Sequence, residues 1–433
     1  MMTNGRVRSA RYFFTMITPI RAVWLGVALL AVVPHPAVAQ PPDPAAALFI
    51  DSVLHEIRLS VNSRDWQLLK DHWQDDTKYP ADFRWNNQVV RNVAIHSRGG
   101  GSRRPTKLSF HVTFDHYTAG QTLLGLQAII LRNNAQDPSN MRERLSMLFF
   151  RNLGVVAQRE AHTRLYVNDE YVGLYTIIEV YDTDFLQKNF NESTGRVYEY
   201  SFDNEAVLAG QAPFVFQYLG SNPALYVPSP FNPKTLKDDP QGEVIARFVQ
   251  AVSDTGAAAW RDTVSAFLDL PRFIRHLAIE NFLAEQDGMT GDYGPNNFYL
   301  YRFANTTTFL FLPWDKSNAF FDVNFSIFRN IVDGAEDHRN LLAVRALQEP
   351  DLLQLYLDTM LECGNFALQG AAPDQPGWLE AEINREYDQI HAAALEDTFV
   401  FTNADFEQAI VDLQNFARTR SAIVAAQVAA ARR

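Results

Sequence analysis

Aromatic and β-branched residues alternate with polar ones in several short runs of this chain, and longer apolar stripes recur at helical spacing in others. His55, Ile57, Leu59 and Val61 share one side of a period-two run, which predicts a strand; the segment DWQLLKDHW after Ser63 reads as a short helix. Lys107 opens a further strand in which Leu108, Phe110, Val112 and Phe114 point one way. Over residues 134–153 the stripe Met141, Leu145, Leu148, Phe149 and Leu153 predicts a helix, with Asp137 as cap, Pro138 in the first turn and Gly154 as stop. Residues 164–182 predict a β-hairpin turning at Asn168-Asp169, in which Gly173 allows a bulge or a close approach.

Residues 202–240 are rich in proline and asparagine, a long irregular segment of the kind that often serves as a lid or binding loop. Helices are expected over 242–255, 257–267 and 270–285; the last carries apolar residues all round, so it should be buried on more than one side. Residues 298–303 and 307–312 read as a half-buried hairpin with its turn at Asn305-Thr306. From Leu342 onward helices dominate, with breaks near 364–376 and 399–403.

The first forty residues change the picture. Arg6, Arg8, Arg11 and Arg21 precede the apolar run 22–33, and Ala37-Val38-Ala39 supplies a small-x-small cleavage pattern. Residues 1–39 therefore read as a secretory signal peptide, with an uncleaved anchor as the alternative, and 40–47 as a linker. The expected location is outside the cytoplasm: periplasm, cell surface or medium. No later stretch approaches the ~20 apolar residues of a membrane span. The remainder is an ordinary globular chain, 47% hydrophobic and 20% charged overall, and large enough for two lobes or two domains. One cysteine, Cys363, excludes an internal disulfide. The net charge of −12 argues against nucleic acid or an anionic membrane as partner. No HExxH or GxSxG pattern is present.

The candidate chemistry gathers in 284–321. A hairpin over 298–312 would bring Asn297, just before it, and Asp315, just after it, toward one space. Their hard oxygens suit Mg²⁺ or Mn²⁺. Asp287 can accept a proton nearby, although Asp292 lies close enough to take that part. Three glycines at 99–101 allow backbone to approach phosphates, and Lys107 can pair with them; the same features also fit an ordinary glycine-rich hairpin with an exposed lysine. Glu143 can hold that lysine or be a surface acid, and Glu179 closes a strand where a hinge to a second lobe can lie.

In this order the blocks RGGGSRRPTKLSFHVTFD, LRNNAQDPSNMRERLSMLFFRNLG, YVNDEYVGLYTIIEVYD, LAIENFLAEQDG, NNFYLYRF and FLPWDKSNAFF resemble the spore-coat CotH kinase family of atypical protein kinases. The resemblance spans roughly two-thirds of the mature chain, from about Leu48 to Phe321. It implies an α+β, bilobal kinase-like fold, with a β-rich lobe over 48–181 and a mainly helical lobe over 182–425. It further implies phosphate transfer from ATP to protein hydroxyls with Mg²⁺ or Mn²⁺. Lys107 then resembles the phosphate-pairing lysine, with Glu143 and Glu179 beside the nucleotide; Asp287 resembles the catalytic aspartate, and Asn297 and Asp315 the metal ligands. The segment 321–341 resembles an activation segment or is a surface loop. One departure stands out: Ser317 occupies the place of a second aspartate often found after PWD. A monomer acting on a protein substrate is expected, with a non-catalytic surface binding protein on the same scaffold as the alternative.

Overall fold

Alternation along seven strands builds a barrel. They are β1 (His55–Val61), β2 (Tyr79–Trp85), β3 (Gln88–Ser97), β4 (Phe110–Thr113), β5 (Ala128–Arg132), β6 (Glu160–Val167) and β7 (Glu170–Glu179). They pair in the order β1-β2-β3-β4-β5-β7-β6, and parallel pairing of β1 with β6 closes the ring. Ile57, Leu59, Ile95, Phe110, Val112 and Leu131 fill the inside. A period of two then sends the intervening residues outward. His96 and Arg98 follow this rule around β3, as do Ile130 and Arg132 on β5.

The computed structural model describes residues 43–201, 211–334 and 336–433, besides Met1. The expected signal peptide and residues 40–42 of the linker lie outside the described residues, as do 202–210 of the long loop. The chain forms two units, Met1–Asp43 and Pro44–Arg433. The end of the expected linker is already folded: the turn Pro44–Phe49 buries Ala45, Leu48 and Phe49.

A second sheet has the order β11-β10-β8-β9, from β8 (Arg196–Tyr200), β9 (Phe231–Pro233), β10 (Phe298–Arg302) and β11 (Phe309–Pro313). The β10–β11 hairpin forms with Phe298 opposite Pro313. It is not half-buried, as its pattern suggested, because every residue of β10 is buried. Both of its faces are covered: Phe298 and Leu300 join the large helical core, and Tyr299 and Tyr301 pack with Tyr181, Phe185 and Trp314. Behind this sheet helix Leu270–Phe282 packs on Pro350–Ala367, which packs on Asn403–Ala431. The fold is α+β, and among the described residues no helix is long and apolar enough to cross a membrane.

Two helices are shorter than predicted. The first begins only at Arg142, because Asn134 and Asn140 adopt left-handed backbone angles, φ 53° and 60°. Asp137 sits in that loop, accepting from the backbone N–H of Ser139 at 2.9 Å and of Arg142 at 2.8 Å. The second ends at Phe282, two residues before Ala284 turns left-handed at φ 54°. In the 164–182 hairpin Asn168 and Asp169 both take positive φ, 51° and 67°, the geometry a two-residue turn of this hand requires.

Candidate active site

The outer face of the barrel and the second sheet border a cleft of about 960 Å³. Its lining includes the glycine-rich turn from Gly99 to Ser102, and Val180, Tyr181 and Asp182 just after β7. Gly99 has φ 107°, and a Cβ there would meet Ser102 Oγ at 2.5 Å, so this turn excludes a side chain. Asp287, Asn297 and Asp315 all line the same cleft.

The route to that convergence is local. Helix Leu270–Phe282 ends and the chain turns, delivering Asp287. The hairpin β10–β11 then sets Asn297 and Asp315 at its two open ends, both with left-handed backbone, φ 56° and 47°. Asn297 donates its side-chain amide to the Asp287 carboxylate at 3.1 Å and to the Asp287 backbone carbonyl at 2.8 Å. Asn296 donates to the other Asp287 oxygen at 3.1 Å. Beneath them Lys316 is buried and paired with Glu280 at 2.6 Å, and it donates to the Asn297 carbonyl at 2.8 Å.

Burial pushes the Asp287 carboxyl up to about 6, helped by the nearby Asp315 charge and opposed by the two asparagine amides and Lys316. Asp315 goes the other way. Burial disfavours its charge, but Arg132 and the Ser317 hydroxyl hold its carboxyl below the usual range. Both act on one oxygen, Oδ1, at 2.5 Å and 2.8 Å. Asp292 does not line the cleft; it pairs with Arg329 at 2.7 Å and accepts from Gln286 at 3.2 Å.

Arg132, which sequence reasoning missed, is the centre of the site's charge. It bridges Asp315, at the cleft wall, at 2.5 Å and the buried Glu143 at 2.6 Å. Burial pushes the Glu143 carboxyl up to about 8 against the pull of Arg132. The guanidiniums of Arg132 and Arg98 each lie 5.2 Å from the Trp314 ring. Arg98 lines the cleft and, among the described residues, makes no ion pair. The available signal was the pattern at the end of β5: a charged residue out of phase with the apolar face, followed by a loop and a helix carrying Glu143.

Lys107 is elsewhere. It is buried outside the cleft and precedes β4 instead of opening it. Its Nζ pairs with Asp397 at 2.5 Å and donates to the Leu174 carbonyl at 2.9 Å. Gly173 makes room for this pair, since a Cβ there would meet Lys107 Cε at 2.7 Å and Asp397 Oδ2 at 2.9 Å. The structure thus gives Glu143 to Arg132 and ties Lys107 to the carboxyl-terminal helices. Glu179 is likewise committed, to Arg159 and Lys188, each at 2.6 Å, while the residues after it line the cleft. Lys107→Met is therefore expected to cost about 3–5 kcal/mol of stability by leaving Asp397 buried and unpaired. Denaturant unfolding checks the loss, and nucleotide titration of the folded variant should show affinity close to wild type.

The donor set fits a hard divalent cation only thinly. Asp315 Oδ2 and Asn297 Oδ1 have no hydrogen-bond partner among the described residues and face the cleft. No cluster of three or more His, Cys, Asp or Glu side chains suited to a metal occurs among the described residues. One carboxylate and one amide oxygen suffice for Mg²⁺ only when substrate phosphates complete the shell.

The cleft thus joins two aspartates and an asparagine amide with a glycine-rich turn, backed by a buried arginine–glutamate pair. The chain is a member of the CotH kinase family: residues 95–424 match the family described as CotH kinase protein. Inner spore coat protein H of Bacillus subtilis (strain 168) is 26% identical over 259 residues, covering 60% of this chain and 67% of that protein. Among solved structures, the Helicobacter pylori proinflammatory kinase CtkA aligns over 75% of this chain and 95% of its own, with 9% identity and a TM-score of 0.27.

Proposed function

We propose that this protein is an exported kinase of two lobes that moves the terminal phosphate of ATP to hydroxyl groups of an acceptor protein. The observation that carries this reading is the meeting of Asp287, Asn297 and Asp315 in one cleft, with Arg132 paired to Asp315 from behind it. Asp287 orients the acceptor hydroxyl and takes its proton. Arg98 meets the phosphates, Arg132 holds Asp315 in place, and the glycine-rich turn lets the backbone approach the phosphates. Asn297 and Asp315 would hold Mg²⁺ or Mn²⁺, which when bound neutralises charge on the phosphate oxygens. The segment 180–182 occupies the hinge between the β-rich lobe and the helical lobe and offers backbone groups to the base. The arginine-rich, apolar start of the chain supports export, and the −12 charge fits a protein acceptor better than nucleic acid.

Thermal unfolding with ATP and Mn²⁺ tests the nucleotide site, because a ligand bound only by the native state raises apparent stability. ATP with Mn²⁺ is expected to raise Tm; no shift at millimolar ligand would sink the proposal. In calorimetry Mn²⁺ alone should bind weakly and Mn²⁺ with ATP clearly, and Asp315→Asn should remove the metal-dependent part. Ser317→Asp should strengthen metal affinity, since the Ser317 hydroxyl already lies 2.8 Å from Asp315. A second reading, a binding protein with a weakened transfer site, draws on the fact that Arg132 and Ser317 already occupy one Asp315 oxygen. ATP binding with no transfer would favour it.

A further inference from the structure

The second sheet carries an unbalanced pair of cations at the end away from the cleft. Arg196 on β8 and Arg302 on β10 stand directly opposite each other in register. Like charges in that position destabilise a sheet unless counter-charges offset them. Arg196 has one, Asp239, at 2.5 Å. Arg302 has none: it is 4% exposed, makes no ion pair among the described residues, and its Nε has no hydrogen-bond partner. Its one hydrogen bond goes from Nη2 to the Gln241 side-chain oxygen. Burial and the charge of Arg196 together lower its pKa, although Tyr198, Glu243 and Asp239 pull the other way.

Arg302 lines an open pocket of about 530 Å³ with Arg196, Gln241 and the β10–β11 turn. Gln241 is the cap residue of helix Gly242–Asp254, with left-handed φ 47° and no side-chain capping bond; its carbonyl takes the Val244 amide, and among the described residues the amides of Gly242 and Glu243 have no side-chain acceptor. On the opposite wall the hydroxyl of Thr308 and the amide of Asn305 have no partner among the described residues, whereas the hydroxyls of Thr306 and Thr307 are spent on backbone carbonyls. A buried guanidinium without a carboxylate, a second arginine, an uncapped helix start and a free hydroxyl are the parts of an oxyanion site. The nearest acids weaken it only in part: Asp239 is held by Arg196 and Gln241, and Glu243 is exposed in the first turn of the helix.

We propose that this pocket binds a phosphate group, with Arg302 as its principal ligand. Tyr299 lines the cleft and Arg302 lines this pocket, three residues along the same strand, roughly 10 Å apart. The site is separate from the proposed nucleotide site and does not depend on that reading. Either free phosphate or a phosphorylated side chain of a bound protein supplies the same chemistry.

Titration with inorganic phosphate and with a phosphoserine peptide, followed by Tm and calorimetry at constant ionic strength, tests the proposal. Wild type should bind both or one, and the unphosphorylated peptide neither stabilises nor binds. Arg302→Met should weaken binding roughly tenfold to a hundredfold, the loss expected for one charge-assisted contact, and Arg302→Lys should restore part of it. Thr308→Val, on the exposed turn, should also weaken it and serves if Arg302→Met does not fold. Arg98→Met separates the two sites. Phosphate binding lost in Arg98→Met and retained in Arg302→Met or Thr308→Val would place the anion in the cleft and overturn the proposal, as would no phosphate binding by wild type.

Discussion

Asp287→Ala is expected to lower phosphate transfer about 10²–10⁴-fold, the usual contribution of a positioned general base, while ATP affinity stays close to wild type. The carboxylate contacts two asparagine amides and no cation, so its removal leaves no buried charge unpaired. Single-turnover transfer and equilibrium nucleotide binding separate the two effects. Asp292→Ala should leave transfer nearly intact, since Asp292 is held by Arg329 outside the cleft. The pH dependence follows from the raised carboxyl of Asp287, at about 6. A raised pKa means that the base form is lost as pH falls through that value. The turnover rate should therefore drop about tenfold per unit below pH 6 and level off above it.

Arg132→Ala should do two things at once. It should cost about 3–5 kcal/mol of stability, because Glu143 and Asp315 lose the buried cation between them. The cost should fall as pH falls, because burial already pushes the Glu143 carboxyl up and, without Arg132 to lower it, a proton can replace the lost cation. It should also weaken ATP binding more than Lys107→Met does, since Arg132 holds the cleft residue Asp315, whereas Lys107 pairs with Asp397 outside the cleft. Urea unfolding and calorimetry on the two variants give the comparison. Arg132→Lys is expected to recover part of the stability but not the two-carboxylate geometry, since an ammonium lacks the planar fork.

The strands were legible because burial on one face leaves a period of two, and the 164–182 hairpin was legible from its Asn-Asp turn. Helix ends were not: the predicted helices ran through Asn140 and Ala284, where left-handed backbone bounds the helix at a residue other than glycine. Asp287, Asn297 and Asp315 of the cleft could be listed from the sequence because they flank one hairpin and one helix end. Arg132 and Lys107 show the limit. Both sit at the edge of apolar strands, and which acid each one meets depends on contacts across 183 and 290 residues, to Asp315 and Asp397. Spacing along the chain carries no information about such pairs. The same holds for Arg302, which reads as an ordinary strand-end arginine until its neighbour across the sheet is known.

The most direct test of phosphate transfer is intact-mass spectrometry of the purified protein after incubation with ATP and Mn²⁺, alone and with mixed acceptor proteins. The wild-type chain is expected to place phosphate on serine, threonine or tyrosine of itself or an acceptor, and Asp287→Ala and Asp315→Asn are expected to place none. Wild-type protein that binds Mn²⁺ with ATP yet adds no phosphate to any protein, or an Asp287→Ala chain that transfers as well as wild type, would contradict the account.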